Sequence, residues 1–284
     1  MELLALGHNS YGKSRVRLMK VKRHAGHDSV FEWNIDIKLT GEFHDCFASG
    51  DNSRILPTDT MKNTVYSLAR SSFTTCIEHF AAELATHFIQ NNPFAESATV
   101  TICNAPWRHI AVNGLPYPTA FTRSGGENEI VTVTCTKSAT LEYVAGIEEL
   151  AVLKTSKSAF AGFYKDNLTT LKETHDRLFG TLVSAHWKYS NGDHDFPVLR
   201  AQAVAALLKA FAEHDSQSVQ QTLYAMAGAV LEALPEVSEI HLAMPNKHCN
   251  LVDLSPFGQD NPNQIFVPTD EPHGMIDAQL RRAN

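Results

Sequence analysis

The chain has 284 residues, of which 43% are apolar and 19% charged, and it carries a net charge of −7. A chain of this length and apolar content can bury a large core, and its length predicts about two structural units. The acidic balance argues against a nucleic-acid-binding surface, which needs a clustered basic excess. No stretch is long and apolar enough to predict a membrane-spanning helix.

The cysteines and the two ends of the chain bear on its location. Five cysteines, at positions 46, 76, 103, 135 and 249, are odd in number and include no CxxC pair. This pattern predicts free thiols in a reducing compartment. The first residues, MELLALGHNS, lack the basic start of a secretory leader, and the last, RRAN, differ from an SKL-type peroxisomal address. We therefore expect a cytoplasmic protein.

The first half of the chain predicts strands that flank two helices. Apolar and polar residues alternate in VFEWNIDIKL (30–39), which predicts a strand with one dry and one wet face. The preceding SRVRLMKVKR is predicted to pair with it through the turn HAGHDS. Helical spacing of apolar residues predicts helices within DTMKNTVYSLAR and TCIEHFAAELATHFIQNN. ATVTIC and RHIAVNG follow as a predicted strand pair that bends at Pro106.

The second half repeats this order. FPVLRAQAVAALLKAFAEH and SQSVQQTLYAMAGAVLEALP predict two helices, and SEIHLAM and HCNLVDL predict a closing strand pair. We interpret the chain as an internal duplication with units at 1–137 and 138–284. Each unit is predicted to be an antiparallel sheet with a helix pair on one face, an α+β architecture. The open sheet edges favour closure in a symmetric homo-oligomer.

Common sequence motifs for catalysis and cofactor binding are absent. The chain contains no GxxxxGK[ST], GxGxxG, HExxH or GxSxG. Fourteen histidines raise the question of a metal site, but none has a second ligand at a convincing spacing. The sequence therefore predicts no metal.

The segment ILPTDTMKNTVY (55–66) has more capping residues than a helix needs. Thr58, Asp59 and Thr60 follow a proline in a row, and one such side chain is enough to cap a helix. We expect one of the three to cap the helix that starts here, which leaves the role of the other two open.

Three isolated residues could carry chemistry, although each also has an ordinary structural reading. Lys13 enters the first strand beside Gly12 and is either a surface lysine or a base of lowered pKa. His248 is predicted at the bend of the last strand pair. Arg177 is predicted to end a helix, where the helix dipole alone favours a cation.

Five segments together resemble one known family. YGKSRVRL, DNSRILPTDTMKNTVY, SAFAGFYKDNLTTLKETHDR, DSQSVQQTLYAMA and MPNKHCNLVDLS are similar, in this order, to the successive motifs of urate oxidase (uricase), and they span residues 11–255. The resemblance implies two tunnelling-fold units per chain, each an antiparallel sheet backed by helices. It also implies a homotetramer in which four chains close two stacked barrels, with active sites between subunits.

The resemblance implies catalytic roles for four residues. Lys13 matches the family's catalytic lysine, and Thr58 matches its partner threonine, contributed from the adjacent chain. His248 matches the histidine that hydrogen-bonds into this proton relay. Asn246 matches the asparagine that, with Thr58, holds dioxygen or the attacking water.

Five further residues match the family's substrate contacts. Arg177 and Gln220 correspond to the pair that grips the purine edge, and Phe160 to the ring that stacks on it. Asp59 and Val219 correspond to residues that contact the ligand through backbone groups. These residue types suit urate, a planar anion, because guanidinium offers a two-donor fork and an amide offers one donor and one acceptor.

The resemblance implies oxidation of urate by dioxygen and water to 5-hydroxyisourate and hydrogen peroxide, without metal or flavin. Two alternatives stay open on the sequence. One is another tunnelling-fold enzyme that acts on a purine or pterin, such as a cyclohydrolase or aldolase. The other is a non-catalytic purine-binding oligomer.

Overall fold

A computed structural model describes residues 4–190 and 194–283, which form an α+β structure of twelve strands and five α-helices. The strands are β1 (Tyr11–His24), β2 (His27–Gly41), β3 (Ala95–Asn104), β4 (Trp107–Val112), β5 (Leu115–Arg123), β6 (Asn128–Thr136), β7 (Leu141–Lys154), β8 (Phe179–Tyr189), β9 (Val237–Ala243), β10 (Asn246–Leu251), β11 (Phe266–Gly274) and β12 (Asp277–Arg281). The helices are α1 (His44–Ala48), α2 (Thr58–Ser71), α3 (Ile77–Gln90), α4 (Phe196–Glu213) and α5 (Val219–Ala233), and Ser255–Phe257 forms a 3₁₀ turn. Among the described helices, none combines the length and apolar character that crossing a membrane would require.

The chain divides into two compact units, Met1–Gly146 with Asn191–Phe196, and Ile147–Ser190 with Pro197–Asn284. Strand β7 begins in the first and continues in the second. The assignment of 1–137 and 138–284 as two tunnelling-fold units stays a prediction.

The first unit is an antiparallel sheet in the order β1-β2-β3-β6, with β4 and β5 forming a separate hairpin. Burial alternates along β2: Trp33, Ile35 and Ile37 are buried, while the residues between them are exposed. The Trp33 ring stacks on Phe80 of α3 with the ring centroids 5.0 Å apart. The predicted dry and wet faces are thereby confirmed, because helices cover the apolar side of the strand pattern.

The second unit repeats the element order of the first. Strands β7 and β8 precede α4 and α5, after which β9 and β12 extend the sheet and β10 pairs with β11. Trp187 of β8 and Met226 of α5 are both fully buried. Apart from the short α1 in the first unit, each unit therefore contains two strands, two long helices and four strands, in this order, rather than the shorter motif that the sequence predicted.

The two predicted closing strand pairs are wrong as pairs, although the strands themselves exist. Strand β3 pairs with β2 and β6, whereas β4 pairs with β5. In the same way, β9 pairs with β8 and β12, whereas β10 pairs with β11. The chain leaves the sheet at Pro106 and Pro245, since proline cannot continue a hydrogen-bonded ladder. The dipeptide Asn113–Gly114, with positive φ at both residues, marks the β4–β5 hairpin that the sequence analysis overlooked.

Candidate active-site residues

Lys13 lies on β1 opposite Ile37 of β2, at a point where the two strands approach closely. A Cβ atom at Gly12 would lie 1.8 Å from the Ile37 carbonyl oxygen, so only glycine fits beside Lys13. A bulge follows, in which Arg15 has φ 57° and its N–H donates to Asp36 Oδ1 at 2.6 Å. The bulge interrupts the regular alternation of the strand directly after Lys13.

Helix α2 begins at Thr58 without a side-chain cap. Its N-cap residue is Pro57, and no side chain makes a capping hydrogen bond there. The prediction that Thr58, Asp59 or Thr60 caps this helix is therefore wrong. Proline holds the chain in the entry conformation through its fixed φ, and its carbonyl accepts the Met61 N–H at 3.2 Å. An uncapped first turn leaves N–H groups that favour an anion.

The Asp59 side chain folds back onto its own helix. Its carboxylate accepts hydrogen bonds from Lys62 Nζ and, at 3.1 Å, from Asn63 Nδ2. The Lys62 ammonium holds the pKa of the Asp59 carboxyl below its ordinary value, with smaller contributions from Asn63 and from the charge of Lys13. The segment that carries Lys13 is joined to the turn before α2 by the hydrogen bond from the Leu56 N–H to the Tyr11 hydroxyl, at 2.9 Å.

In the second unit, Phe160 lies between two chain segments. Its N–H donates to the Thr174 oxygen at 2.7 Å, and the Thr174 N–H donates back to the Phe160 oxygen at 3.0 Å. On the other side, the Ala159 N–H donates to the Ser216 oxygen at 2.7 Å. These bonds place Phe160 beside the segment that carries Arg177 and beside the residues that precede α5.

Helix α5, unlike α2, has a side-chain cap. Ser218 Oγ accepts the Gln221 N–H at 3.1 Å, and the Gln221 side chain accepts the Gln217 N–H at 2.8 Å. These two bonds fix the entry of the chain into the helix. Val219 and Gln220 therefore occupy the first turn of a well-defined helix.

Arg177 lies in the irregular segment that leads into β8 and not at a helix end, so that prediction is wrong. The bridge between Phe160 and Thr174 takes hydrogen bonds that a helix would use internally. The Arg177 guanidinium lies over the Phe160 ring, 5.4 Å from its centroid. Its Nε is buried and has no hydrogen-bond partner among the described residues, and burial lowers the pKa of the guanidinium. A buried cationic donor without a partner is suited to bind an anion.

Phe163 is an additional aromatic residue at the site that the sequence motifs did not predict. Its ring stacks on Phe160 with centroids 5.0 Å apart and an angle of 14° between the planes. The signal was present in the sequence as FAGF, two aromatic residues that flank a small turn. Phe163 supports the plane of the Phe160 ring.

Asn246 and His248 lie on β10, on either side of Lys247. Lys247 pairs with Gly180 of β8, three residues after Arg177. His248 is exposed and lies within the strand, so the prediction that it occupies a bend is wrong. The Thr269 hydroxyl on β11 donates to the His248 carbonyl oxygen at 3.1 Å and joins the two strands there.

The nine predicted site residues thus fall into two groups. The first unit holds Lys13, Thr58 and Asp59; the second holds Phe160, Arg177, Val219, Gln220, Asn246 and His248. No three His, Cys, Asp or Glu side chains within residues 4–190 and 194–283 lie in positions to hold a metal ion. The roles of the nine residues, and a reaction without metal or flavin, stay predictions.

Comparisons with known proteins identify the family. The uricase family model matches residues 9–134 and 143–277. The chain belongs to the uricase family. It is 42% identical to the uricase of Arthrobacter globiformis over 279 residues, which cover 98% of this chain and 90% of the relative. It is 36% identical to the Dictyostelium discoideum uricase, with 97% of each chain covered.

Solved uricase structures confirm the predicted α+β tunnelling fold. The crystal structure of the Arthrobacter globiformis uricase superposes with a TM-score of 0.93 and covers 98% of this chain and 95% of the other. A uricase from Bacillus fastidious, at 23% identity, has a TM-score of 0.85 over 98% of this chain and 94% of that one, and shows the same fold. The resemblance read from the sequence motifs is confirmed, and with it the assignment of the chain as an oxidoreductase, a urate oxidase.

Proposed function

We propose that the protein oxidises urate with dioxygen and water to 5-hydroxyisourate and hydrogen peroxide, through a proton relay of Lys13, Thr58 and His248. Two electrons leave urate and reduce dioxygen to peroxide, and water adds to the oxidised purine. The observation that carries this proposal is the uricase family match over 9–134 and 143–277, a span that contains all nine site residues.

In the relay, Lys13 withdraws a proton from bound urate through the Thr58 hydroxyl, with His248 assisting. The dianion formed in this way is a good one-electron donor to dioxygen. The hydrogen bond from the Leu56 N–H to the Tyr11 hydroxyl, which joins the Lys13 and Thr58 segments, supports this pairing. General-base assistance of this kind contributes about 10²–10⁴ in rate.

The second group of residues binds the purine. Arg177 and Gln220 grip its edge, Phe160 stacks on its ring, and Val219 and Asp59 contribute backbone contacts. The buried, unpartnered Nε of Arg177 supports the first role, since an anionic ligand would satisfy it. Asn246, together with Thr58, holds dioxygen and then the attacking water.

The protein acts as a homotetramer whose active sites lie between subunits. The placement of Lys13 and Thr58 in one unit, and of Arg177 and Gln220 in the other, is compatible with sites completed by a second chain. All five cysteines are free thiols, which supports a reducing compartment such as the cytoplasm.

The test is to follow urate by ultraviolet absorbance in a metal-chelating buffer, together with oxygen uptake and peroxide release. Equal consumption of urate and oxygen, with equal release of peroxide, is expected. A folded oligomer that consumes no oxygen with urate would instead favour a purine-binding protein or another heterocyclic substrate. Lys13→Met and Thr58→Ala should each lower turnover by at least about 10²-fold. A Lys13→Met enzyme with the turnover of the parent would show that the proposed relay is wrong.

A further inference from the structure

The hydroxyl of Tyr11 joins the two segments that carry Lys13 and Thr58. Tyr11 is the first residue of β1, two residues before Lys13. Its hydroxyl oxygen accepts the backbone N–H of Leu56, two residues before Thr58, at 2.9 Å. The hydrogen bond therefore lies at the same short distance along the chain from each of the two relay residues.

Packing holds the Tyr11 ring in place. The ring meets the fully buried Phe43 edge-on, with centroids 4.8 Å apart and planes at 87°. Burial raises the pKa of the Tyr11 hydroxyl, partly offset by the Leu56 N–H. The hydroxyl therefore stays neutral over the ordinary range of pH.

The backbone between Leu56 and Thr58 has little conformational freedom. Pro57, with φ −54° and ψ 137°, is the only residue between them, and its ring fixes φ. Proline also restricts the conformation of the residue before it, which is Leu56 itself. After Thr58, the buried side chains of Met61 and Val65 anchor α2 in the core. A shift of the Leu56 backbone would therefore also shift Thr58 at the start of α2.

We propose that Tyr11 is a positioning residue of the active site, whose hydroxyl holds the turn before α2 against β1 and so fixes the Thr58 hydroxyl relative to the Lys13 ammonium. Tyr11 does not touch the substrate in this role. The inference rests on the proposed function, because it assumes that Lys13 and Thr58 act together in proton transfer.

The test is Tyr11→Phe, which keeps the ring against Phe43 and removes the hydroxyl that accepts the Leu56 N–H and also interacts with the Asn92 side chain. We expect kcat to fall by about 10- to 100-fold, because small misplacements of catalytic groups have effects of this size. KM for urate should change less than about threefold, since the residues proposed to grip the purine edge lie in the other unit. Melting temperature and oligomeric state, measured on the same samples, report on folding.

Tyr66→Phe is the matched control. The Tyr66 hydroxyl also joins α2 to β1, but it donates to the Arg17 backbone oxygen, at 3.4 Å and on the exposed surface. This variant should keep the kcat of the parent enzyme. A similar fall in both variants would show that loss of any tyrosine hydroxyl near β1 matters, and would overturn the specific role of Tyr11.

A double-mutant cycle separates positioning from general stabilisation. If Tyr11 acts through Thr58, then Tyr11→Phe should have almost no further effect on kcat in a Thr58→Ala background. Additive losses, or a Tyr11→Phe enzyme with kcat within twofold of the parent, would overturn the inference. An inactive Lys13→Met enzyme together with a fully active Tyr11→Phe enzyme would contradict the Tyr11 inference and leave the proposed relay in place. A fully active Lys13→Met enzyme would contradict both the proposed relay and the Tyr11 inference that rests on it.

Discussion

Gly12 determines how closely β1 approaches β2 beside Lys13. Because a Cβ at this position would lie 1.8 Å from the Ile37 carbonyl oxygen, any side chain must displace β1 or β2. We expect Gly12→Ala to move Lys13 and to lower kcat by about 10²-fold, the effect of a misplacement of about 1 Å. Steady-state turnover of urate measures this. Gly7→Ala is the control, because a Cβ there meets nothing within 4 Å, and equal turnover in both variants would contradict the argument.

Arg177 is proposed to recognise the purine edge with a planar fork of donors. Lysine keeps the positive charge but loses the fork. We expect Arg177→Lys to weaken urate binding by about 1.5–3 kcal/mol, the contribution of a hydrogen bond to a charged group, which is roughly 10- to 150-fold in Kd. Equilibrium binding of a non-reacting purine measures this. Arg23→Lys, in an exposed ion pair with Asp28, should bind like the parent, and tight binding by Arg177→Lys would contradict the role.

Motif order identified the candidate site residues, but not the residues that support them. Lys13, Thr58 and His248 belong to short segments whose composition is visible in one sequence. Tyr11 lies 45 residues from its partner Leu56 in the sequence. Their contact depends on tertiary packing, which a local sequence pattern does not predict. The absent cap on α2 was mispredicted for a related reason. Three capping residues in a row satisfied the local rule, whereas the fold uses Pro57 and turns the Asp59 carboxylate toward Lys62.

At the scale of elements, the cap of α5 should control both stability and substrate binding. Ser218 Oγ accepts the Gln221 N–H, and the first turn that this bond organises carries Val219 and Gln220. We expect Ser218→Ala to lower the free energy of unfolding by about 1 kcal/mol and to raise KM. Urea unfolding and steady-state kinetics measure the two effects. Thr60→Ala on α2, where no side chain caps the helix, should leave stability unchanged, and an equal loss in both variants would contradict this account.

The pairing of β8 with β9 places two histidines side by side. His186 is the register partner of His241, and its Nε2 lies 3.6 Å from Glu148 Oε1 on β7. Burial lowers the pKa of His186, Glu148 opposes this shift, and His241, itself paired with Asp277, adds to it. A histidine whose pKa is lowered by folding binds fewer protons in the native state. Its contribution to stability is therefore present above the unfolded pKa of about 6.5 and is lost as the pH falls through the folded value.

We therefore expect His186→Gln to weaken the pH dependence of the free energy of unfolding on the acid side. The parent should lose more stability than the variant between about pH 7.5 and 5.5, because its His186 binds a proton more readily in the unfolded chain than in the folded protein, and the variant has no such group. Urea midpoints at the two pH values, measured for both proteins, give the difference. Parallel profiles would show that His186 does not contribute.

At the scale of the whole molecule, the sequence predicted the α+β class, the four long helices, the internal repetition and the β1–β2 hairpin, but not the pairing of the strands that follow the helices. Periodicity reports which face of a strand is buried, and β2 and the helices follow it closely. Pairing depends instead on where the chain turns. The β4–β5 hairpin was not predicted because Pro116 and Pro118 are unusual in a strand and made β5 hard to recognise. The Asn113–Gly114 dipeptide, which is typical of a hairpin turn, was the available signal. The same error recurred at β10, since the second unit repeats the topology of the first.

Assembly is the remaining property at this scale, and it can be tested by mixing inactive chains. If each active site takes Lys13 and Thr58 from one subunit and Arg177 from another, then Lys13→Met and Arg177→Gln chains complement each other. Co-expressed in equal amounts, they should form hybrid tetramers in which about a quarter of the sites contain both native residues. Oxygen uptake with urate, compared with each parent variant alone, measures the recovery.

The matched control mixes Lys13→Met with Thr58→Ala. Both residues lie in the first unit, where a hydrogen bond from Leu56 to Tyr11 joins their two segments within one chain. One chain would therefore supply both residues of the pair to any given site, so this mixture should stay inactive. Recovery in the first mixture alone would assign the two residue groups to different subunits. Equal recovery in both mixtures would place Lys13 and Thr58 on different chains, and no recovery in either would mean that each site is built from a single chain.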